Sequence, residues 1–465
     1  AGLVFQEGPP GVCVSCWDGL EEKGTMAALL LLLPLLLLLP LLLKLDVWPQ
    51  LRWLPADLAF TVRALRCKRA LRARALAAAA ADPESSESGC SLAWRLAYLA
   101  REQPTHTFLI HGAQRFSYAE AERESNRIAR AFLRARGWTG GRRGSGRGST
   151  EEGARVAPPA GDAAARGTTA PPLAPGATVA LLLPAGPDFL WIWFGLAKAG
   201  LRTAFVPTAL RRGPLLHCLR SCGASALVLA TGKAASRTSK LGLPTLVEFL
   251  ESLEPDLPAL RAMGLHLWAT GPETNVAGIS NLLSEAADQV DEPVPGYLSA
   301  PQNIMDTCLY IFTSGTTGLP KAARISHLKV LQCQGFYHLC GVHQEDVIYL
   351  ALPLYHMSGS LLGIVGCLGI GRYLVNQPPS KAECDHKVRL AVGSGLRPDT
   401  WERFLRRFGP LQILETYGMT EGNVATFNYT GRQGAVGRAS WLYKVRDRVD
   451  RRTPGAEGGM ARAGA

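Results

Sequence analysis

Residues 178–230 alternate strand-like and helix-like segments, and that alternation limits the fold before any motif is considered. Thr178-Val-Ala-Leu-Leu-Leu is a continuous apolar run, of the kind buried on both faces of a parallel sheet. A helical stretch over residues 188–199 follows, then the strands Thr203-Ala-Phe-Val and Ala226-Leu-Val-Leu-Ala. Parallel neighbours need a crossover between them, so this order implies an α/β domain with mostly parallel sheets and helices on their faces. The apolar stretch 189–206 contains Lys198, Gly200 and Arg202, and is therefore expected as a core helix and strand rather than a membrane crossing. In such sheets ligands sit in loops at the carboxyl ends of strands.

One of those loops has a chemistry of its own. Tyr310-Ile-Phe runs into Thr313, Ser314, Gly315, Thr316, Thr317 and Gly318, and Lys321 closes the stretch. Glycines let successive backbone N–H groups converge on an anion, the hydroxyls add neutral donors and the lysine adds charge. A nucleoside triphosphate fits these donors. Ala322 follows the lysine where a P-loop carries Ser or Thr for the metal, so the pattern is not that of P-loop NTPases.

Three later segments read as strands ending in polar or glycine-rich loops. Residues 346–359 end in Tyr355-His356-Met-Ser-Gly, residues 387–397 carry Gly393, Ser394 and Gly395, and residues 411–422 carry Tyr417, Gly418, Thr420 and Glu421. Tyr417 can stack on a nucleobase, the paired glycines let backbone approach a ring, and Glu421 with Thr420 can hold Mg2+ against phosphate oxygens. Together with the phosphate loop they are expected to form one nucleotide site.

The termini read differently from the centre. From Met26 to Lys44 thirteen leucines and two prolines form an apolar run, followed by Trp48, Trp53, Arg63, Arg66, Lys68, Arg69, Arg72 and Arg74. Interfacial tryptophans with basic residues beyond them are the pattern of an uncleaved single-pass anchor whose following domain is cytosolic. We therefore leave residues 1–25, which precede the candidate initiator Met26, unassigned and outside the native reading, and expect 26–45 to be the anchor and 46–90 a basic juxtamembrane segment. A folded domain is expected over 91–443, opening with helical text over 91–136 in which Ser117 and Glu120 have capping-box spacing. Residues 137–177, rich in Gly, Ala, Arg and Pro, are expected as a disordered insertion, and 444–465 as a disordered aberrant tail. The eleven cysteines lack paired metal or disulfide spacing and fit reduced thiols; Asn428-Tyr-Thr430 is a glycosylation sequon that a cytosolic site would leave silent.

The four loops, in this order, resemble the adenylate-forming enzymes, and within them the fatty acid transport proteins or very long-chain acyl-CoA synthetases. The resemblance runs from Met26 to about Tyr443. It implies the large N-terminal domain of that fold and a two-step ligase using ATP, Mg2+ and coenzyme A. By this likeness residues 313–321 hold the β- and γ-phosphates, Gly393, Ser394 and Gly395 with Tyr417 hold adenine, Gly418 belongs to the same cofactor site, and Thr420 touches the α-phosphate. Glu421 binds magnesium, His356 lies near the acyl carboxylate, and Lys321, His356, Thr420 and Glu421 count as catalytic. Long or very long-chain fatty acids and membrane lipid are the implied partners, without nucleic acid, at the endoplasmic reticulum, mitochondrial or plasma membrane. The likeness also implies a strand and helix between Gly371 and Arg372, where this sequence has none, and a small C-terminal domain with a catalytic lysine, which has no counterpart here. Impaired turnover is therefore expected. A noncatalytic fatty-acid binding or uptake protein is the alternative, and a relative that activates amino or aryl acids is a third reading.

Overall fold

The computed structural model describes residues 51–80, 91–138, 172–230, 253–271, 276–299, 303–314, 318–343, 346–370, 374–376, 387–422, 425–438 and 440. The expected anchor, the greater part of the insertion and the C-terminal tail lie outside them. Among the described residues no helix is long and apolar enough to cross a membrane. Contacts divide the chain into residues 1–61 with 439–465 and residues 62–438. The second unit holds the α/β fold.

Its main sheet has seven strands: β3 (Thr178–Leu182), β4 (Arg202–Phe205), β5 (Ala224–Ala230), β6 (His266–Thr270), β7 (Ser280–Asn281), β8 (Thr307–Thr313) and β9 (Lys321–Ser326). They lie in the order β7-β6-β5-β3-β4-β8-β9, and every neighbouring pair is parallel except the β8–β9 hairpin. All five residues of β3 are buried, as its unbroken apolar run requires. A four-stranded sheet, β10-β11-β1-β2, joins β1 (Thr107–His111), β2 (Gln114–Ser117), β10 (Ile348–Tyr349) and β11 (Leu374–Asn376). A third sheet runs β12 (Leu390–Gly393), β13 (Gln412–Gly418), β14 (Ala425–Asn428), with β12 and β13 parallel. The mostly parallel α/β expectation holds.

Helix α1 (Leu54–Ala80) carries the basic stretch. Its part within the second unit is more than a solvated face: the buried Cys67 thiol lies 3.8 Å from the Gly335 carbonyl, and Arg74 donates to Gln334 Oε1 at 3.1 Å. Helices α2 (Tyr118–Ala135) and α3 (Pro187–Lys198) form a tightly packed pair. Gly195 makes their approach possible, since a Cβ there would stand 2.5 Å from Ile128 Cγ2 and 3.1 Å from the Ala129 nitrogen. At the end of α3 the buried Lys198 ammonium meets Glu122 Oε2 at 2.8 Å and Asn126 Oδ1 at 2.6 Å. Burial pulls this lysine below its ordinary pKa, and Glu122 opposes the shift. The residue that interrupts the apolar run is thus satisfied inside the core.

Three expectations are corrected. The text over 91–136 is not continuously helical: β1 and β2 form a hairpin between two helices, turning at Gly112 with φ +60°. The capping box then starts α2 as expected, with Ser117 N–H donating to Glu120 Oε2 at 2.6 Å and Glu120 N–H to Ser117 Oγ at 3.2 Å. Second, Leu173 is 3% exposed and its N–H reaches the Ala135 carbonyl, so the chain is packed before residue 177. Third, residues 346–359 hold only the two-residue strand β10; a turn and a π-helix (Ser358–Val365) replace the rest. Asn428 of the sequon is fully buried, and its amide donates to the Arg432 and Ala435 carbonyls.

Candidate functional site

The β8–β9 hairpin places the phosphate-loop candidates. Thr313 ends β8 and pairs directly with Lys321, the first residue of β9, so the lysine stands across from the last strand threonine at the loop's neck. Ser314 follows, and Gly318 has φ +91°, a left-handed conformation that a side chain would strain. Gly315, Thr316 and Thr317 lie outside the described residues. Lys321 is exposed.

The parallel pairing of β12 with β13 brings the other two loops to one edge. Gly393 pairs with Glu415, so Ser394 and Gly395 leave β12 at the end where Tyr417 and Gly418 close β13 and Thr420 and Glu421 follow it. Thr416 Oγ1 donates to the Gly393 carbonyl at 3.1 Å, and the Leu396 N–H donates to Glu415 Oε1 at 2.9 Å. These bonds tie the two exits together. Gly395 has φ +79° with open space around it, Tyr417 is 50% exposed, and Glu421 is exposed. An exposed ring beside an open glycine turn can receive a planar base, and a carboxylate is a hard oxygen ligand suited to Mg2+.

His356 occupies the turn after β10. It is exposed, its ring lies 5.0 Å from that of Tyr355, and its carbonyl accepts from the Gly359 and Ser360 N–H groups and from Ser360 Oγ at 2.8 Å. Gly359 is required here because a Cβ would stand 2.2 Å from the Pro353 carbonyl oxygen.

Two residues at the site carry no motif signal. Glu415 is 2% exposed, and while Oε1 holds the Leu396 N–H, Oε2 has no hydrogen-bond partner among the described residues. Lys329, on helix α4 (His327–Cys333), donates from Nζ to the Thr420 carbonyl and to the Gly422 carbonyl at 2.7 Å. Burial lowers the Lys329 pKa, while Cys333 and Glu421 act in the opposite direction. Cavities of about 440 and 560 Å³ lie elsewhere: one is lined by Arg202, Thr203 and Thr307 at strand starts, the other by Arg389 and Gln412 at the amino ends of β12 and β13. Neither includes the candidate loops.

The layered sheets and the loops at their carboxyl edges describe a nucleotide-binding α/β domain, and residues 162–388 match the AMP-binding enzyme family. The chain carries that match over just under half of its length. Its relatives there are long-chain fatty acid transport proteins: it is 89% identical to mouse long-chain fatty acid transport protein 3 over 452 residues, covering 90% of this chain and 65% of that protein. Human long-chain fatty acid transport protein 3 is 72% identical over 468 residues, covering 90% of this chain and 66% of that protein. The chain thus spans about two thirds of the length of the curated relatives it matches. Among solved structures, a benzoate CoA ligase from Burkholderia xenovorans LB400 superposes with TM-score 0.54 at 17% identity, over 76% of this chain and 66% of that one. A Mycobacterium tuberculosis fatty acyl CoA synthetase superposes with TM-score 0.51 at 15% identity, over 76% and 65%. At such identities the superpositions establish the fold alone.

Proposed function

We propose that this chain is an ATP-dependent long or very long-chain fatty acid–CoA ligase domain, linked through that chemistry to fatty acid uptake. A fatty acid carboxylate oxygen attacks the α-phosphorus of ATP and pyrophosphate leaves, giving an acyl-adenylate. Coenzyme A thiolate then attacks the acyl carbon, and AMP leaves. Substitution at phosphorus needs positioning and charge neutralisation more than a strong base, and the loops supply these. Thr313, Ser314 and Lys321 would hold the β- and γ-phosphates, Gly393, Ser394, Gly395, Tyr417 and Gly418 the adenine, Thr420 the α-phosphate, and His356 the acyl carboxylate. Glu421 would hold Mg2+, which supplies charge neutralisation at the phosphates when bound. The reading rests chiefly on the parallel β12–β13 pair, which carries the adenine-side and metal-side loops at one edge. The names of the relatives support a fatty acid over an aryl or amino acid.

The test is to incubate the purified chain in detergent with ATP, Mg2+, a labelled very long-chain fatty acid and coenzyme A. AMP, acyl-adenylate and acyl-CoA are followed separately, beside Lys321→Ala. Acyl-adenylate that disappears in the variant supports the reading, whether or not acyl-CoA follows; fatty acid binding that is indifferent to ATP, with no product, refutes it. We further propose that residues 26–45 anchor the chain in a membrane with the domain on the cytosolic side, on the strength of the leucine run and its Trp and Arg flanks. Release of the chain from membranes by alkaline carbonate would refute this.

A further inference from the structure

Lys329 connects parts of the molecule that the sheets leave separate. The phosphate hairpin belongs to the seven-stranded sheet, and the loop bearing Thr420 and Glu421 belongs to the three-stranded sheet. Between Lys321 and Lys329 the chain is a continuous regular path: β9 runs from Lys321 to Ser326, and α4 begins at the next residue. Ser326 caps that helix by accepting the backbone N–H of Lys329 itself at 3.3 Å. The cap fixes the backbone of the first turn, and the Lys329 side chain then reaches 91 residues along the sequence to the Thr420 carbonyl and 93 to that of Gly422. Its two acceptors flank Glu421. An ammonium carries three donors and satisfies two backbone carbonyls at once, a geometry that pins the peptide groups on both sides of one side chain.

We propose that Lys329 is a positioning residue: a latch that holds the Thr420–Glu421 loop against the element that starts at Lys321, so that the two halves of a nucleoside triphosphate site keep one spacing. This rests on the ATP reading above. The latch touches neither adenine nor phosphate in that reading, and acts only through where it holds the loop. Its removal therefore weakens a ligand that spans both sheets more than one confined to the adenine-side loops of β12 and β13. Freeing the loop lowers the fraction of molecules competent for the triphosphate, and apparent affinity falls by that fraction.

The experiment compares the purified full chain with Lys329→Met and Lys329→Arg, measuring affinities for ATP with Mg2+ and for adenosine by titration calorimetry. Loss of two charge-assisted hydrogen bonds is expected to weaken ATP roughly tenfold in Lys329→Met, with adenosine held within about twofold and the arginine variant recovering most of the loss. Hydrogen exchange of the peptide spanning 418–424 gives a readout independent of nucleotide, and is expected to rise in the methionine variant alone. Equal weakening of ATP and adenosine, or unchanged exchange in that peptide, overturns the latch while leaving the nucleotide reading standing. A parent chain that binds neither ligand overturns the nucleotide reading and the latch with it.

Discussion

Replacing Lys198 by methionine tests how far the helix pair behind the main sheet depends on one buried charge. Lys198 is 3% exposed and Glu122 14%, with 2.8 Å between ammonium and carboxylate. Methionine preserves most of the stem's packing but leaves the Glu122 carboxylate and the Asn126 carbonyl oxygen without their donor. Removing one partner of a buried pair costs about 3–5 kcal/mol, because the remaining charge stays desolvated. In a unit this large each kcal/mol moves Tm by about 2 °C, so a fall of roughly 6–10 °C is expected by calorimetry at neutral pH. Adding Glu122→Leu removes the stranded carboxylate and should recover at least half of the loss, since well-packed apolar replacements of buried pairs are often neutral. A Lys198→Met chain within about 2 °C of the parent, or a double variant worse than the sum of the singles, would refute the reasoning.

Three further outcomes follow from the packing. Gly359→Ala, whose Cβ would meet the Pro353 carbonyl at 2.2 Å, should destabilise the domain by about 1–3 kcal/mol in urea unfolding, whereas Gly393→Ala, with open space around its Cβ, should leave stability near the parent's. The Glu120 carboxylate is held below its ordinary pKa by the Ser117 backbone N–H and then by the Ser117 hydroxyl, so its stabilisation is present above about pH 4.3 and lost as pH falls through the lower folded value. The parent should accordingly exceed Glu120→Ala by about 1 kcal/mol at pH 7, with the gap closing as pH falls through the lowered folded value, in melts followed by circular dichroism. Burial pushes Cys218, Cys308 and Cys333 up to about 12 and Cys222 to about 11, so these thiols should resist iodoacetamide at pH 8 until the chain is unfolded, as peptide mass mapping would record.

What could be read from the sequence was what local chemistry decides. The β3–α3–β4–β5 alternation follows from runs of apolar residues, and the α2 start follows from a hydroxyl and a carboxylate three residues apart. The β1–β2 hairpin escaped because one neighbour of β1 is β11, so its burial depends on residues near 374 rather than on its own periodicity. Lys329 and Glu415 escaped for a related reason. An isolated lysine on a short helix and a glutamate in a strand acquire roles only from the carbonyls and amide that folding brings to them. The motif residues were legible as types, yet the grouping of Gly393, Ser394 and Gly395 with Tyr417, Gly418, Thr420 and Glu421 at one edge comes from the parallel register of β12 and β13, which no spacing in the sequence encodes.

The π-helix Ser358–Val365 sets a phase. Its hydrogen bonds close one residue later than those of an α-helix, so each turn holds about one residue more. Removing one residue between Ser360 and Val365 would let this stretch settle into α-geometry, which is the cheaper conformation for the backbone. The lost residue and the tighter coil would largely offset each other, so the segment on its amino side would keep close to its present angle relative to the buried Leu361, Ile364 and Val365. His356 lies on that side, one turn away. The wider coil thus absorbs one residue without turning the histidine away, and a shortened variant should leave the imidazole facing much as before.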